Sequence, residues 1–114
     1  MPDYQFIPIQ KDLIPYVFDI TLAGRTFAFH IKYNAMRDFF TVDLLRDDEY
    51  IVIGEKIVYG RVLFLNQQHL DVPTVAIIPY DLSMNETRVT WDNFGETVFL
   101  WLPGGGLDVE QFLD

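Results

Sequence analysis

The chain has 114 residues, 50% hydrophobic, 16% aromatic and 22% charged, a composition that suits one folded domain and excludes an intrinsically disordered chain. Eight Lys and Arg against 17 Asp and Glu give a formal net charge of −9, which argues against a binder of nucleic-acid backbones and against attraction to an anionic membrane. Cysteine is absent, so disulfides, thiolate catalysis and Cys-ligated zinc are excluded.

Met1 to Gln10 has neither the basic start nor the apolar core of a signal peptide. No apolar run approaches the ~20 residues of a membrane-spanning helix, so a soluble protein is expected. Period-2 alternation then dominates. Tyr16 to Leu22 sets Phe18, Ile20 and Leu22 against Val17, Asp19 and Thr21, and Thr26 to Tyr33 sets Phe27, Phe29, Ile31 and Tyr33 against Thr26, Ala28, His30 and Lys32. A helix would place Phe27 and Phe29 about 200° apart, whereas a strand puts them on one face. Ala23-Gly24-Arg25 between the runs reads as a hairpin connection.

A third strand is expected over Phe39 to Arg46, after a loop at Asn34 to Asp38. Phe40, Val42 and Leu44 form its core face, with Thr41 and Asp43 outward. Asp47-Asp48-Glu49 is the next turn, since Asp carboxylates accept local backbone N–H bonds. Tyr50 to Ile53 and Lys56 to Leu65 read as two strands split by Gly54, with a bulge or bend at Gly60. Asn66 to Pro73 is a polar loop, and Thr74 to Tyr80 is a strand buried on both faces.

Asp81 to Glu86 is loop, Thr87 to Trp91 a short strand, and Trp91 to Gly95 one helical turn stopped by Gly95. Thr97 to Leu102 is the last strand, with Val98, Leu100 and Leu102 opposing Phe99 and Trp101. The expected fold is all-β, a small antiparallel barrel or sandwich of six to eight short strands. Residues 1–102 are expected to form a single β domain, and residues 103–114 a short flexible tail, acidic and hinged at Gly104-Gly105-Gly106.

The residues offer little chemistry. His30 sits on the less apolar face of its strand and reads as a surface residue; His69 beside Asp71 is the one conceivable acid–base pair. Ser83, the only serine, has no nucleophile-elbow pattern around it. Asp47-Asp48-Glu49 lacks calcium-loop spacing, and the glycine triplet lacks the helix, lysine and hydroxyl of a phosphate loop. Asn85-Glu86-Thr87 has glycosylation spacing but follows no signal peptide. Asp19 and Asp43 are outward acids with nothing to pair them as a glycosidase would. No catalytic residue, metal site or cofactor is expected. Phe99 and Trp101, on the minority face of the last strand, are the best candidates for an exposed aromatic partner surface.

Phe18 to Leu44 reads FDITLAGRTFAFHIKYNAMRDFFTVDL. A strand ending in Leu22, then Gly24, a strand ending in Tyr33-Asn34 and an aromatic-led strand carrying Asp43 resemble the start of the baseplate plug family of contractile-tailed phages and prophages, cyanophage baseplate plug-like tail proteins among them. Ile53-Gly54 through Gly60-Arg61-Val62-Leu63-Phe64, the run Val75 to Pro79, and Trp91 to Leu102 resemble that family's later blocks, so the likeness spans residues 4–102. Phe40 stands where the pattern leads us to expect Trp.

The resemblance implies a non-enzymatic structural component of the virion, a plug-like assembly protein sitting centrally in the tail baseplate near the tube end and hub. It would pass through the host cytoplasm during assembly. The implied partners are other baseplate, hub and tail-tube proteins, with a homo-oligomer left open and no nucleic acid or membrane. Phe99, Trp101, Phe112 and Leu113 are the partner-binding candidates. Two alternatives stand beside this reading: a free β-sandwich module binding carbohydrate or protein, and a small hydrolase using carboxylates or His69.

Overall fold

The computed structural model describes residues 5–22, 24–67 and 70–102. The strands are β1 (Gln5–Ile7), β2 (Tyr16–Leu22), β3 (Arg25–Asn34), β4 (Phe39–Arg46), β5 (Glu49–Lys56), β6 (Ile78–Tyr80) and β7 (Phe99–Leu102). They form two antiparallel sheets, β2-β3-β4-β5 and β1-β7-β6. The fold is all-β, as expected, and it is built as two separate sheets rather than one closed barrel.

The four-stranded sheet follows from local sequence. Alternation sets the face of each strand, and short turns set the register. The β4–β5 turn is two residues, Asp47 (φ 53°) and Asp48 (φ 66°), between the paired Arg46 and Glu49. Positive φ at both positions is the hairpin geometry that Asp tolerates. The inward residues Phe27, Phe29, Ile31, Phe40, Val42 and Leu44 are all buried, and they share one core with Ile7 and Leu100 from the smaller sheet and with Val98 just before it.

Several expected strands move or disappear, and the last begins at Phe99 rather than Thr97. Gly54 does not end a strand; it lies inside β5 with φ 75°, a conformation that costs glycine little. The β4–β5 register shifts between Val42 and Leu44 and again between Leu44 and Leu45, so the strand bulges and continues. Residues 57–64, expected as strand, are irregular. Ile57, Val62, Leu63 and Phe64 are buried there, and the backbone bridges both sheets through Ile57 N–H to Phe40 O (2.9 Å), Gly60 N–H to Pro79 O (2.7 Å) and Leu63 N–H to Ile77 O (2.8 Å).

Of Thr74 to Tyr80, only Ile78–Tyr80 is strand, although Ala76 and Ile77 are buried as expected. Thr87 to Trp91 forms no strand; its bonds go to side chains instead. Asn93 Oδ1 accepts from Thr90 N–H (2.8 Å), and Asn93 Nδ2 donates to Arg88 O (2.9 Å). Phe94 N–H reaches Thr90 O (3.0 Å), one helical turn, and Gly95 at φ 83° stops it. β1 is the strand that the sequence pattern does not announce.

Candidate functional site

The small sheet sorts its side chains by register. Ile7, Leu100 and Pro79 pair across the three strands and point into the core; Phe6, Trp101 and Ile78 pair across the same strands on the other face. Tyr80 pairs with Phe99 on that outer face. An antiparallel sheet covered on one side ordinarily places polar residues on the other. Here the outer face is aromatic at β1 and β7, while at β6 Ile78 packs with Val62, Ala76 and Leu65 and Tyr80 stacks on Tyr59 at 5.3 Å.

Phe6, Phe99 and Trp101 pack edge to face and tilted, with ring centroids 4.8 Å (Phe6–Phe99), 5.2 Å (Phe6–Trp101) and 5.8 Å (Phe99–Trp101) apart. Such contacts stabilise rigid aromatic clusters. Trp101 is held further by its indole N–H, which donates to Tyr80 O at 2.9 Å. Phe6 is 43% exposed, and Phe99 and Trp101 are half-buried against each other. The structure therefore brings Phe99 and Trp101 together and adds Phe6. Phe112 and Leu113 lie outside the described residues, as do His69 and the glycine triplet.

Asp43, Asp71 and Asp81 are committed elsewhere. Asp43 keeps its outward face but is only 1% exposed, which corrects the expectation of a solvent-facing acid. Its Oδ1 accepts the Gly54 N–H at 2.8 Å, and its Oδ2 meets Lys32 Nζ at 2.7 Å. Burial alone would raise the Asp43 pKa; the Lys32 ammonium and the Gly54 N–H outweigh it and hold the carboxyl below its ordinary value. His30 Nδ1 lies 3.6 Å from Asp43 Oδ2, buried and without a hydrogen bond. Asp19 is two strands away, in the row of Ala28 and Leu45 rather than that of His30 and Asp43.

Asp71 is gripped by two guanidiniums. Arg25 Nη1 reaches it at 2.5 Å and Arg46 also donates to it, while Arg25 Nη2 donates to Val72 O at 2.7 Å. This fixes the loop before Val72 onto the larger sheet. The Ser83 hydroxyl donates to the Asp81 carboxylate at 2.7 Å, and Asp81 also accepts the N–H groups of Ser83, Asn85 and Glu86. That carboxylate organises a loop. Among the described residues, no cluster of three or more His, Cys, Asp or Glu could hold a metal ion.

No curated protein matches the chain. A protein-family model does: the family described as cyanophage baseplate Pam3 plug gp18 matches residues 4–103. The match takes in both sheets, the aromatic face and the Asp43 bulge, and with nearly the whole chain covered the protein belongs to this cyanophage baseplate plug family.

Proposed function

We propose that the protein is a non-enzymatic plug-like assembly component of a phage tail baseplate, seated centrally near the tube end and hub, and that it docks on its neighbours through the aromatic face of the β1-β7-β6 sheet. The observation that carries the docking role is the Phe6–Phe99–Trp101 cluster, held rigid while still reaching solvent. Rigid aromatics of this kind lose little side-chain entropy on binding and are the usual anchors of protein interfaces. The family assignment supplies the baseplate setting. The protein is made and assembled in the host cytoplasm and ends in the virion tail.

The segment from Gly104 onward supplies Phe112 and Leu113 as a second contact to a neighbour.

Two variants test this reading in purified tails, with copy number read by quantitative mass spectrometry. Phe6→Ala with Phe99→Ala is expected to leave the far-UV dichroism unchanged and to weaken incorporation at least ~10-fold, the loss of an interface hot spot. Deleting residues 107–114 is expected to leave Tm unchanged and to lower incorporation. Full incorporation of the aromatic double variant would remove the docking face, and full incorporation of the truncated chain would remove the tail from the proposal.

A further inference from the structure

Strand β5 is eight residues long and ends the four-stranded sheet, with β4 as its only strand neighbour among the described residues. A strand with one neighbour presents unpaired N–H and C=O groups on its free side, and proteins ordinarily blunt such an edge. β5 has two such devices, its bulged pairing and Lys56, yet it also carries exposed apolar side chains. Ile53 is 71% exposed and Tyr50 is 53% exposed.

The bulge gives these side chains an unusual spacing. Tyr50 pairs with Leu45 and Lys56 pairs with Thr41, which places both on the sheet's outer face; Val52 pairs with Leu44 and points into the core. Ile53 follows Val52 and faces outward. The outer row of β5 is therefore Tyr50, Ile53 and Lys56, three residues apart and symmetric about Ile53.

We infer that β5 is a self-association edge, and that a second copy of this chain pairs with it antiparallel about a two-fold axis perpendicular to the sheet and midway between the two Ile53 residues. That operation keeps both outer faces on the same side, so two four-stranded sheets become one of eight strands. It sets Ile53 of one copy against Ile53 of the other. It sets Tyr50 against Lys56 at both ends and brings Lys56, whose ammonium lies over its own Phe39 ring at 4.7 Å, alongside the acidic turn Asp47-Asp48-Glu49 of the other copy.

The occupant is a second copy because the row is complementary to itself. The opposite edge of the sheet, β2, is not. Its outward row Val17, Asp19 and Thr21 is centred on Asp19, and the same operation there would set two carboxylates against each other.

The absence of cysteine makes the test direct, since each variant carries one thiol. Directly opposed Cα atoms in an antiparallel pair are ~4.5–5.5 Å apart, within the ~4.4–6.8 Å that a disulfide spans. Ile53→Cys is expected to oxidise to a covalent dimer. Tyr50→Cys, on the same edge, puts its two thiols about 20 Å apart along the strands and is expected to crosslink at least ~10-fold more slowly.

Wild-type protein at about 100 μM is expected to sediment with twice the monomer mass, and Ile53→Lys as a monomer with an unchanged dichroism spectrum. A monomeric wild type at that concentration, equal crosslinking of the two thiol variants, or a dimer that survives Ile53→Lys would each overturn the inference. None of these outcomes bears on incorporation through the aromatic face.

Discussion

Phe40→Ala is expected to destabilise the domain by about 3–5 kcal/mol, the usual loss for truncating a fully buried Phe. Phe40 has no solvent exposure, and its ring lies 4.7 Å from Tyr33, 4.6 Å from Phe94 and 6.0 Å from Trp91. Those partners come from β3 and from the turn that leads into β7, so the ring joins the larger sheet to the segment feeding the smaller one. The cavity has no easy way to collapse. Tyr33 is fixed by its hydroxyl, which donates to Asp38 Oδ1 at 2.7 Å, and the same oxygen takes the Trp91 N–H at 2.9 Å. A domain of this size has roughly 5–15 kcal/mol in total, so the variant should be only marginally folded at 37 °C.

Urea denaturation followed by Trp fluorescence reads the effect, since Trp91 stacks on the mutated ring. At ~4–8 °C per kcal/mol, Tm should fall by at least about 12 °C. Met36→Ala, at 96% exposure in the β3–β4 turn, is the control and should stay within about 0.5 kcal/mol of wild type. A loss below about 1 kcal/mol for Phe40→Ala would show that the ring cluster does not tie the sheets together.

The larger sheet was legible because its information is local. Alternation at Phe27, Phe29 and Ile31 and at Phe40, Val42 and Leu44 assigns faces, and β4 begins and ends at Phe39 and Arg46 as the pattern predicts. Beyond Lys56 the apolar residues run consecutively, as in Val62-Leu63-Phe64 and Val75 to Ile78. Such runs reveal burial but not backbone pairing, so strands were expected where the chain is irregular. β1 and β6 are three residues each and exist because β7 pairs with both. No local pattern encodes that.

The same division holds for the candidate face. Phe99 and Trp101 could be assigned opposite Val98 and Leu100 from β7 alone, whereas Phe6 joins them only through the β1–β7 register. Alternation puts Asp43 on its correct face but does not reveal its burial. The atoms that cover it belong to Lys32 on the neighbouring strand and to Gly54, eleven residues away across a bulge.

Asp43→Ala is expected to cost about 2–4 kcal/mol at pH 7 and to remove part of the domain's acid sensitivity. The substitution leaves the Gly54 N–H without its acceptor at the point where β5 departs from regular register. It also frees Lys32, which is half-exposed and turns to water, so most of the loss lies in the backbone donor and in the bulge it fixes. Asp43→Asn keeps an oxygen for Gly54 while removing the charge facing Lys32, and should lose less than Asp43→Ala.

The pH dependence follows in sign from the direction of the shift. The Asp43 carboxyl is held below its ordinary value in the folded protein, so the unfolded chain binds the proton more readily. Its contribution is fully present above the unfolded pKa of about 3.9 and is lost as pH falls through the lower folded value. Asp81, stabilised by the Ser83 hydroxyl, and Asp38, stabilised by the Tyr33 hydroxyl, are shifted the same way and add to the same acid arm. Lys32 is shifted upward by its bond to Asp43, so its part is present at neutral pH and lost only in strong base.

Wild-type stability should therefore be nearly flat from about pH 5 to pH 8 and fall below about pH 4. The gap between wild type and Asp43→Asn should narrow across that acid range, because the wild-type carboxyl becomes neutral there too. Paired urea titrations at pH 7 and pH 3 measure it. A gap that stays constant between the two would show that the ionised carboxylate does not hold the bulge, and that the Gly54 N–H is satisfied by the oxygen alone.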